Sequence, residues 1–554
     1  MKRQTVVQAA AIMMAATAGS RVLGYVRDKL IAYQFGRTPH TDAYWAAFQV
    51  PDLLYYLLAG GALAAALIPV LSGYLVQERE DEAWRMINTL ATAMVLAVAV
   101  GVIVIIVCAP YLVPIAAFGF TRRPEVFAEC VFYVRVMAAM VFFTALSAMA
   151  GGILQSYHHF TAPALAWCMY NVGIIVGAVF LAPYLGILGL CIGVLAGAAM
   201  MVAVQLPALV KRGLRYRPGL DFTHPGVRRF AVLFFPLMIG LAVQQIALLW
   251  LPGLFGSFYT GGVTNLRYAN RLIVLPLGLF GVSISTAAFP TLAQQFRRGE
   301  SDQFKHTLGL SLRAILLFSV PSSVGLAVLS GPIISLLWQG GAYSEAAARS
   351  AAFALTLWAP CLFAIAAMQI INRGFYSMQD TVTPPLIGLG YIGLTAALAV
   401  ALMKTTPAAY GSLPLATSIA SLPAMIAAAL LLRRKVGPMD MWGLAASFGR
   451  VVLASAVMGV VALGVSNIIG NAFGLPHFGF TLTAPEAEGA AAGGSISLWR
   501  VGLQVLAAIA AGAAAFIAAL RVVGAEELPL ATDIIRRTLL RRGAGVPAAP
   551  QSEQ

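Results

Sequence analysis

Apolar runs of about 20 residues or more, broken by short polar or charged stretches, recur along the whole chain. A hydrocarbon layer about 30 Å thick is crossed by roughly 20 helical residues, so each run predicts a membrane-spanning helix. About fourteen runs fall near 6–34, 41–77, 84–117, 125–155, 160–184, 186–210, 227–258, 262–296, 304–333, 344–377, 383–403, 410–433, 441–470 and 498–523. Several exceed the minimum length and should tilt, bend or extend past the bilayer. Pro51 followed by Gly60 and Gly61 predicts a break in the second run. The expected fold class is an all-α polytopic membrane protein.

Composition points the same way. Of 554 residues, 60% are hydrophobic and only 10% charged, with a mean hydropathy of +0.84; a soluble domain is nearer 25% charged. The 53 glycines and 29 prolines suit membrane helices, which use both for close packing and bends. The net charge of +15 does not imply nucleic acid, because the basic residues cluster in alternate loops. One set holds Lys2 and Arg3, Arg79 and Arg85, Lys211 to Arg229, Arg297 to Lys305, Arg433 to Lys435, and Arg536 to Arg542. The other holds little beyond Arg37, Arg122, Arg123 and Lys404. The first set is therefore expected on the cytoplasmic side, and an even number of crossings puts both termini there. The N-terminal segment continues into further helical pattern and reads as an uncleaved first span rather than a signal peptide. Cys108, Cys130, Cys168, Cys191 and Cys361 all lie in apolar runs without CxxC spacing, which predicts buried small hydrophobes rather than disulfides or a metal site. The stretch near 471–497 reads as a flexible loop and the end of the chain as a disordered tail.

An internal repeat is present. Pro69 and Pro290 each close a span ahead of a charged loop, 221 residues apart, and Pro163 and Pro384 share that spacing. APYLVPI near 109 echoes SGPIISL near 330 within one residue of it. Six spans fit into the offset, so two six-helix lobes of like topology should enclose a cavity, with two further spans after them.

Ionisable groups at membrane depth are costly and mark function by default. The first span carries Arg21, Arg27 and Asp28, and the second lobe's second span carries Arg267 and Arg271 at i, i+4. Like charges so spaced repel, which points to an anionic partner. The alternative is that some snorkel to the interface, Arg267 above all; Arg135, Arg313 and Arg373 lie close enough to span ends for the same reading. Asp42 reads first as an N-terminal cap of its own helix, a service Thr41 also offers. Tyr55 and Tyr56 either line the cavity or belong to an interfacial aromatic belt. No nucleophile–base pair, phosphate loop or metal cluster is visible in the sequence, and no enzyme activity is expected.

The stretches SRVLGYVRDKLIAYQFG, TDAYWAAFQVPDLL, AALIPVLSGYL, YANRLIVLPLGLFG and GFYSMQDTVTP resemble the MurJ (MviN-type) lipid II flippases of the multidrug/oligosaccharidyl-lipid/polysaccharide exporter superfamily. The resemblance implies an N-terminal lobe over 1–215, a C-terminal lobe over 216–437, a two-helix groove for a lipid tail over 438–525 and a cytoplasmic tail over 526–554. It implies alternating-access transport of undecaprenyl-pyrophosphate-linked disaccharide-pentapeptide to the outer leaflet, in the bacterial cytoplasmic membrane. Lipid II and the bilayer are then the partners, with cell-wall synthesis enzymes a further expectation. The family's central arginines and their acidic companion map onto Arg21, Arg27, Asp28 and Arg271, and its outward acidic residue maps onto Asp42, which raises Asp42 above the capping reading.

Two departures stand out. Where the family commonly reads PNLLRRLFAEGA, this chain reads PDLLYYLLAGGA, so Tyr55, Tyr56 and Gly60 replace two arginines and a glutamate. The role of the missing arginine is expected to fall to Arg27 or Arg267. The spans that match the sodium site of some members, LAVQQIALLWLPGLFG and LIGLGYIGLTAALAV, hold no Asp, Glu or Asn. No cofactor is expected, and coupling to membrane potential or another monovalent cation is favoured over sodium. The rival readings are a polysaccharide-lipid flippase or cation-coupled drug exporter of the same superfamily, and a non-transporting scaffold for cell-wall assembly. An exporter would carry more carboxylates at depth, and a scaffold would need no arginines there.

Overall fold

The computed structural model describes residues 6–524 apart from 215, 407–408, 439 and 476–496, and within its helices the side chains of 6–11 and 239–249 are not described. The loop read near 471–497 lies mostly outside these residues and the tail at 526–554 wholly outside them. Among the described residues the elements are helices joined by turns, with one isolated bridge between Gly340 and Tyr343.

Eleven helices are long and apolar enough to cross a membrane, and twelve if a pair bent by 46° is one span, against the fourteen expected. They are α2 (Pro39–Val76), α3 (Glu80–Ala116), α4 (Pro124–Ser156), α5 (Thr161–Leu185), α6 (Ile187–Lys211), α8 (Gly262–Arg297), α9 (Ser301–Val328), α11 (Thr383–Thr405), α12 (Ser412–Val436), α13 (Met441–Phe473) and α14 (Leu498–Val522). The bent pair, α10, is Glu345–Trp358 with Cys361–Ser377. The difference from fourteen falls on α1 (Val6–Phe35) and α7 (Pro225–Gly256), 30 and 32 residues long, the two helices that contain side chains outside the described set.

The expected break in the second span is present at Ala59–Gly61, and a second irregularity sits at Phe48. The repeat extends to the helix boundaries. Glu80 and Ser301, Pro124 and Glu345, and Ser156 and Ser377 begin or end corresponding helices 221 residues apart. Even the interruption at Ala139 in α4 recurs at Pro360 in α10 at that spacing. Small residues set the helix contacts inside the first lobe. Gly173 and Gly177 on α5 face Gly197 and Gly193 on α6, and a Cβ on Gly177 would stand 2.6 Å from the Gly193 Cα. Without a hydrophobic drive between helices in lipid, such close approach supplies the packing attraction.

Helices α1–α6 and α7–α12 form two lobes that meet along two unlike seams. On one, α7 packs against α2 and α3. On the other, α1 and α8 meet through side chains, Asp28 and Tyr25 against Arg271. Helices α13 and α14 pair with each other, and α13 lies on α9. Gln504 on α14 donates to the Ser466 carbonyl (2.9 Å) and hydroxyl (3.0 Å) of α13. All five cysteines are unpaired, four of them buried.

Candidate functional site

The α1/α8 seam collects the charges. Arg27 donates from Nε and Nη2 to one oxygen of Asp28, at 2.9 and 2.7 Å, and from Nη1 to the Asn171 side-chain oxygen at 3.1 Å. Asn171, on α5, in turn donates to the Ser20 carbonyl and hydroxyl, both at 3.2 Å. Arg27 and Asp28 are buried, so this pairing offsets the cost of placing ions in an apolar bundle. The second Asp28 oxygen faces Nε of Arg271 across the seam at 3.5 Å. Arg271 lies over the Tyr25 ring, 5.4 Å from its centroid, and its side chain is 37% exposed.

Gly24 makes room for this arrangement: a Cβ there would stand 2.5 Å from Nη2 of Arg271. The two helices run antiparallel in a matched register. Arg21 is seven residues before Asp28, and Gly278, seven after Arg271, lies near the Arg21 guanidinium, 3.5 Å from the position its own Cβ would take. Seven residues are two turns, about 10 Å, so Arg21 and Arg271 can converge on one small anion. Gly278 sits in a π-helical stretch, Leu277–Val282, that follows Pro276; proline removes an N–H and shifts the hydrogen-bond register.

Arg21 is exposed, and neither it nor Arg271 donates a hydrogen bond among the described residues. Arg267 stacks on Trp45, its guanidinium carbon 4.0 Å from the ring centroid, and lies 5.7 Å from that of Phe48. The reading of Arg267 as a snorkelling residue is thus corrected: an aromatic face holds it inside the molecule. Asp52 on α2 lies within electrostatic reach of Arg267 and Arg27. Four arginines (21, 27, 267, 271) against two aspartates (28, 52) leave the region with a formal charge of +2.

Asp42 sits elsewhere, at the end of the bundle that holds Phe35. Its own helix is capped by Thr38, whose side chain accepts from the Thr41 N–H in a capping box, so neither Asp42 nor the alternative cap Thr41 serves as the N-cap. Asp42 caps the other lobe instead. It is fully buried and accepts from the Gly261 N–H (2.6 Å), the Thr264 N–H (2.8 Å) and the Thr264 hydroxyl (2.7 Å) at the start of α8. A carboxylate there satisfies the unpaired donors of a helix N-terminus and meets its dipole. Gly261 has φ +73°, and a Cβ on it would collide with Arg37. Arg37 donates to the Ser350 hydroxyl (2.6 Å) and the Thr260 carbonyl (3.2 Å). Lys29 donates to the Gln339 carbonyl (2.6 Å), and the Ala342 N–H donates to the Tyr33 carbonyl (2.8 Å). This end is latched between the lobes.

Toward the opposite end, Arg21 lines a cavity of about 260 Å³ with Thr17, Ser20, Gln155, Phe160 and Trp167. Tyr55 and Tyr56 are half-buried, and Tyr55 meets Trp167 edge to face with ring centroids 6.4 Å apart. Of the span-end arginines, Arg313 pairs with Asp440 at 3.2 Å, Arg135 donates to the Ile106 carbonyl at 3.0 Å, and Arg373 lies over Phe289. Sequence reasoning missed Asn171, Asp52, Thr264 and the bridging role of Arg37. A lone Asn in the apolar run of α5 was the available signal for the first.

Residues 31–483 match the family model described as lipid II flippase MurJ. The chain is 31% identical over 382 residues to the lipid II flippase MurJ of Burkholderia cenocepacia, covering 68% of this chain and 74% of that protein. It is 29% identical to a probable lipid II flippase MurJ of Haemophilus influenzae, covering 79% and 89%. A solved structure of lipid II flippase MurJ in an inward closed conformation superposes with a TM-score of 0.72 at 23% identity, over 96% of this chain and 100% of that one. An inward-facing multidrug resistance MATE family transporter of the MOP superfamily gives 0.62 at 12% identity, over 75% and 94%; both structures speak to the fold alone.

Proposed function

The chain belongs to the lipid II flippase MurJ family, and from that premise we propose that it carries lipid II, an undecaprenyl-pyrophosphate-linked disaccharide-pentapeptide, to the outer leaflet of the bacterial cytoplasmic membrane by alternating access. It acts as a transporter, without a covalent step. The observation that carries the reading is the pair of arginines, Arg21 and Arg271, set two turns apart along the seam, with Arg21 exposed and making no hydrogen bond among the described residues and Arg271 3.5 Å from Asp28. A pyrophosphate brings about two negative charges and an array of oxygens, which guanidinium forks match in geometry. The +2 charge of the region suits a dianion, and it disfavours the rival in which a cationic drug is exported.

Arg27 and Asp28 play a different part in this reading. Arg27 is already engaged by Asp28 and Asn171, so it holds Asp28, and Asp28 holds Arg271 in place. Arg267, over Trp45, is the better substitute for the arginine absent from α2. With the basic loops on the cytoplasmic side, the Val6 end of α1 faces the cytoplasm in this reading, so the Asp42 latch closes the outward end while the cavity around Arg21 receives substrate. The head group enters between the lobes and the polyprenyl tail stays in lipid, with α13 and α14 as its groove. Release outward requires the latch to open and the seam charges to change partners. Membrane potential acting on these charges, or a monovalent cation, supplies the drive.

The test is reconstitution. Liposomes containing the protein should move lipid II to the opposite leaflet, faster under an imposed potential, and Arg21→Ala or Arg271→Ala should abolish both this and complementation of a flippase-depleted strain while the protein still inserts. Full growth of both mutants would sink the pyrophosphate clamp.

A further inference from the structure

Trp167 and Phe160 are the aromatic residues that line the cavity beside Arg21, and Trp167 belongs to a longer chain of rings behind it. Tyr56 and Tyr55 on α2, then Trp167 and Tyr170 on α5, meet edge to face in a single chain, with centroids 5.4, 6.4 and 6.1 Å apart. Edge-to-face contact fixes each ring against the next. Trp167 is nevertheless 46% exposed, and it lines the same 260 Å³ cavity as Arg21. Polar groups rim that cavity. The Gln155 carboxamide and the Trp167 indole N–H make no hydrogen bond among the described residues, and the Thr17 and Ser20 hydroxyls stand nearby.

The sequence at α2 is fitted to this chain of rings. Gly60 stands where the chain curls back on Tyr56, and a Cβ there would lie 2.8 Å from the Tyr56 ring. The tyrosine pair and the glycine therefore form one packing unit. A tryptophan turned to lipid at the interface would need none of this, and it would not share a cavity with an unpaired arginine.

We propose that Trp167, backed by Tyr55 and Tyr56, is a saccharide subsite that stacks under the pyranose ring joined to the pyrophosphate. The proposal rests on the lipid II reading. A pyranose has an apolar C–H face and a rim of hydroxyls, which a rigid aromatic face with polar neighbours matches. The first sugar is bonded directly to the distal phosphate, so a phosphate held by Arg21 delivers that ring into the same cavity. Gln155 and Ser20 then take its hydroxyls. In exchange for charge on α2, this chain gains recognition of the sugar.

Binding of lipid II and of undecaprenyl pyrophosphate, which lacks the sugars, to the purified full-length protein in detergent tests this. The unmodified protein should prefer lipid II. Trp167→Ala should weaken lipid II binding about five- to tenfold, the worth of one stacked aromatic contact, and leave undecaprenyl pyrophosphate within about twofold. Trp167→Phe should restore most of the loss. Gln155→Ala, which leaves the aromatic chain intact, should weaken lipid II alone by about threefold, the worth of one hydrogen bond. Equal loss for both ligands, or no loss for either, overturns the subsite. If the unmodified protein binds neither ligand, the lipid II reading itself falls.

Discussion

The two seams between the lobes are made of opposite materials. Where α7 meets α2 and α3 the contact is packed: Gly226 sits against Met86 and Tyr74, the Tyr74 and His224 rings are 5.7 Å apart, and Met86 is fully buried. Along α1 and α8 the contact is ionic and loose, with Arg271 and Asp28 3.5 Å apart and Arg271 lying over the Tyr25 ring. Opening a packed apolar seam to a wet cavity exposes apolar surface, at about 25 cal/mol per Å². Opening a charged one exchanges protein partners for water or for a ligand. The first is suited to remain a hinge and the second to admit a head group. Substitutions on either side separate these roles.

The largest effect is expected at Asp28. Its removal leaves Arg27 buried without its main partner and Arg271 without an anchor. Breaking a buried pair by deleting one member costs about 3–5 kcal/mol, equivalent to a hundredfold or more. Asp28→Ala should abolish lipid II movement in liposomes and lower the melting temperature. Retained flipping at near-normal rates would remove Asp28 from the seam's function.

Next comes the latch. Asp42→Ala strips three hydrogen bonds from the start of α8. Loss of a cap costs about 0.5–2 kcal/mol, so amide exchange over residues 261–266 should quicken by roughly 2- to 30-fold, read by hydrogen–deuterium exchange in the detergent-purified protein. Thr264→Val, which spares both backbone bonds, should give a smaller rise. Unchanged exchange in Asp42→Ala would show that the latch contributes nothing to closure.

These contacts also mark where the sequence stops being legible. Spans, the break at Ala59–Gly61 and the 221-residue repeat are visible because hydropathy, proline and glycine act locally. Arg21, Arg27, Asp28 and Arg271 stand out in the sequence because ions at membrane depth are costly and rare. Their division of labour does not. That Arg27 is sequestered while Arg21 stays exposed depends on Asn171, 144 residues from Arg27. Asp42 has the composition of a cap for its own helix, and only the fold puts the start of α8, 219 residues on, within its reach. Arg267 would snorkel were it not for Trp45, which the α2/α8 contact supplies.

The two remaining tests place the same substitution on each seam. At the packed one, a Cβ on Gly226 would meet the Met86 sulfur at 2.7 Å and the Tyr74 ring at 3.0 Å. Both neighbours are held by packing, and inserting a methyl group into such a site costs about 1–3 kcal/mol. Gly226→Ala should therefore lower thermal stability measurably. If the seam is only a hinge, affinity for undecaprenyl pyrophosphate stays within about twofold. A large loss of affinity would place the packed seam in the binding machinery.

At the charged seam the signs reverse. A Cβ on Gly24 would crowd only the tip of Arg271, with Nη2 at 2.5 Å; the Arg271 Cζ at 3.7 Å and the Asn171 side-chain oxygen at 3.8 Å are ordinary contacts. The end of a long side chain can swing aside, at about 0.5–1.5 kcal/mol for an off-rotamer shift. Alanine also favours the helix over glycine by about 1 kcal/mol, so Gly24→Ala should leave stability unchanged or slightly raised. The displaced guanidinium should nevertheless bind undecaprenyl pyrophosphate about threefold more weakly, with the loss shrinking in Arg271→Lys, whose compact ammonium clears the new methyl group. A stable Gly24→Ala protein with full affinity would mean that the position of Arg271 along this seam does not set the grip on the anion.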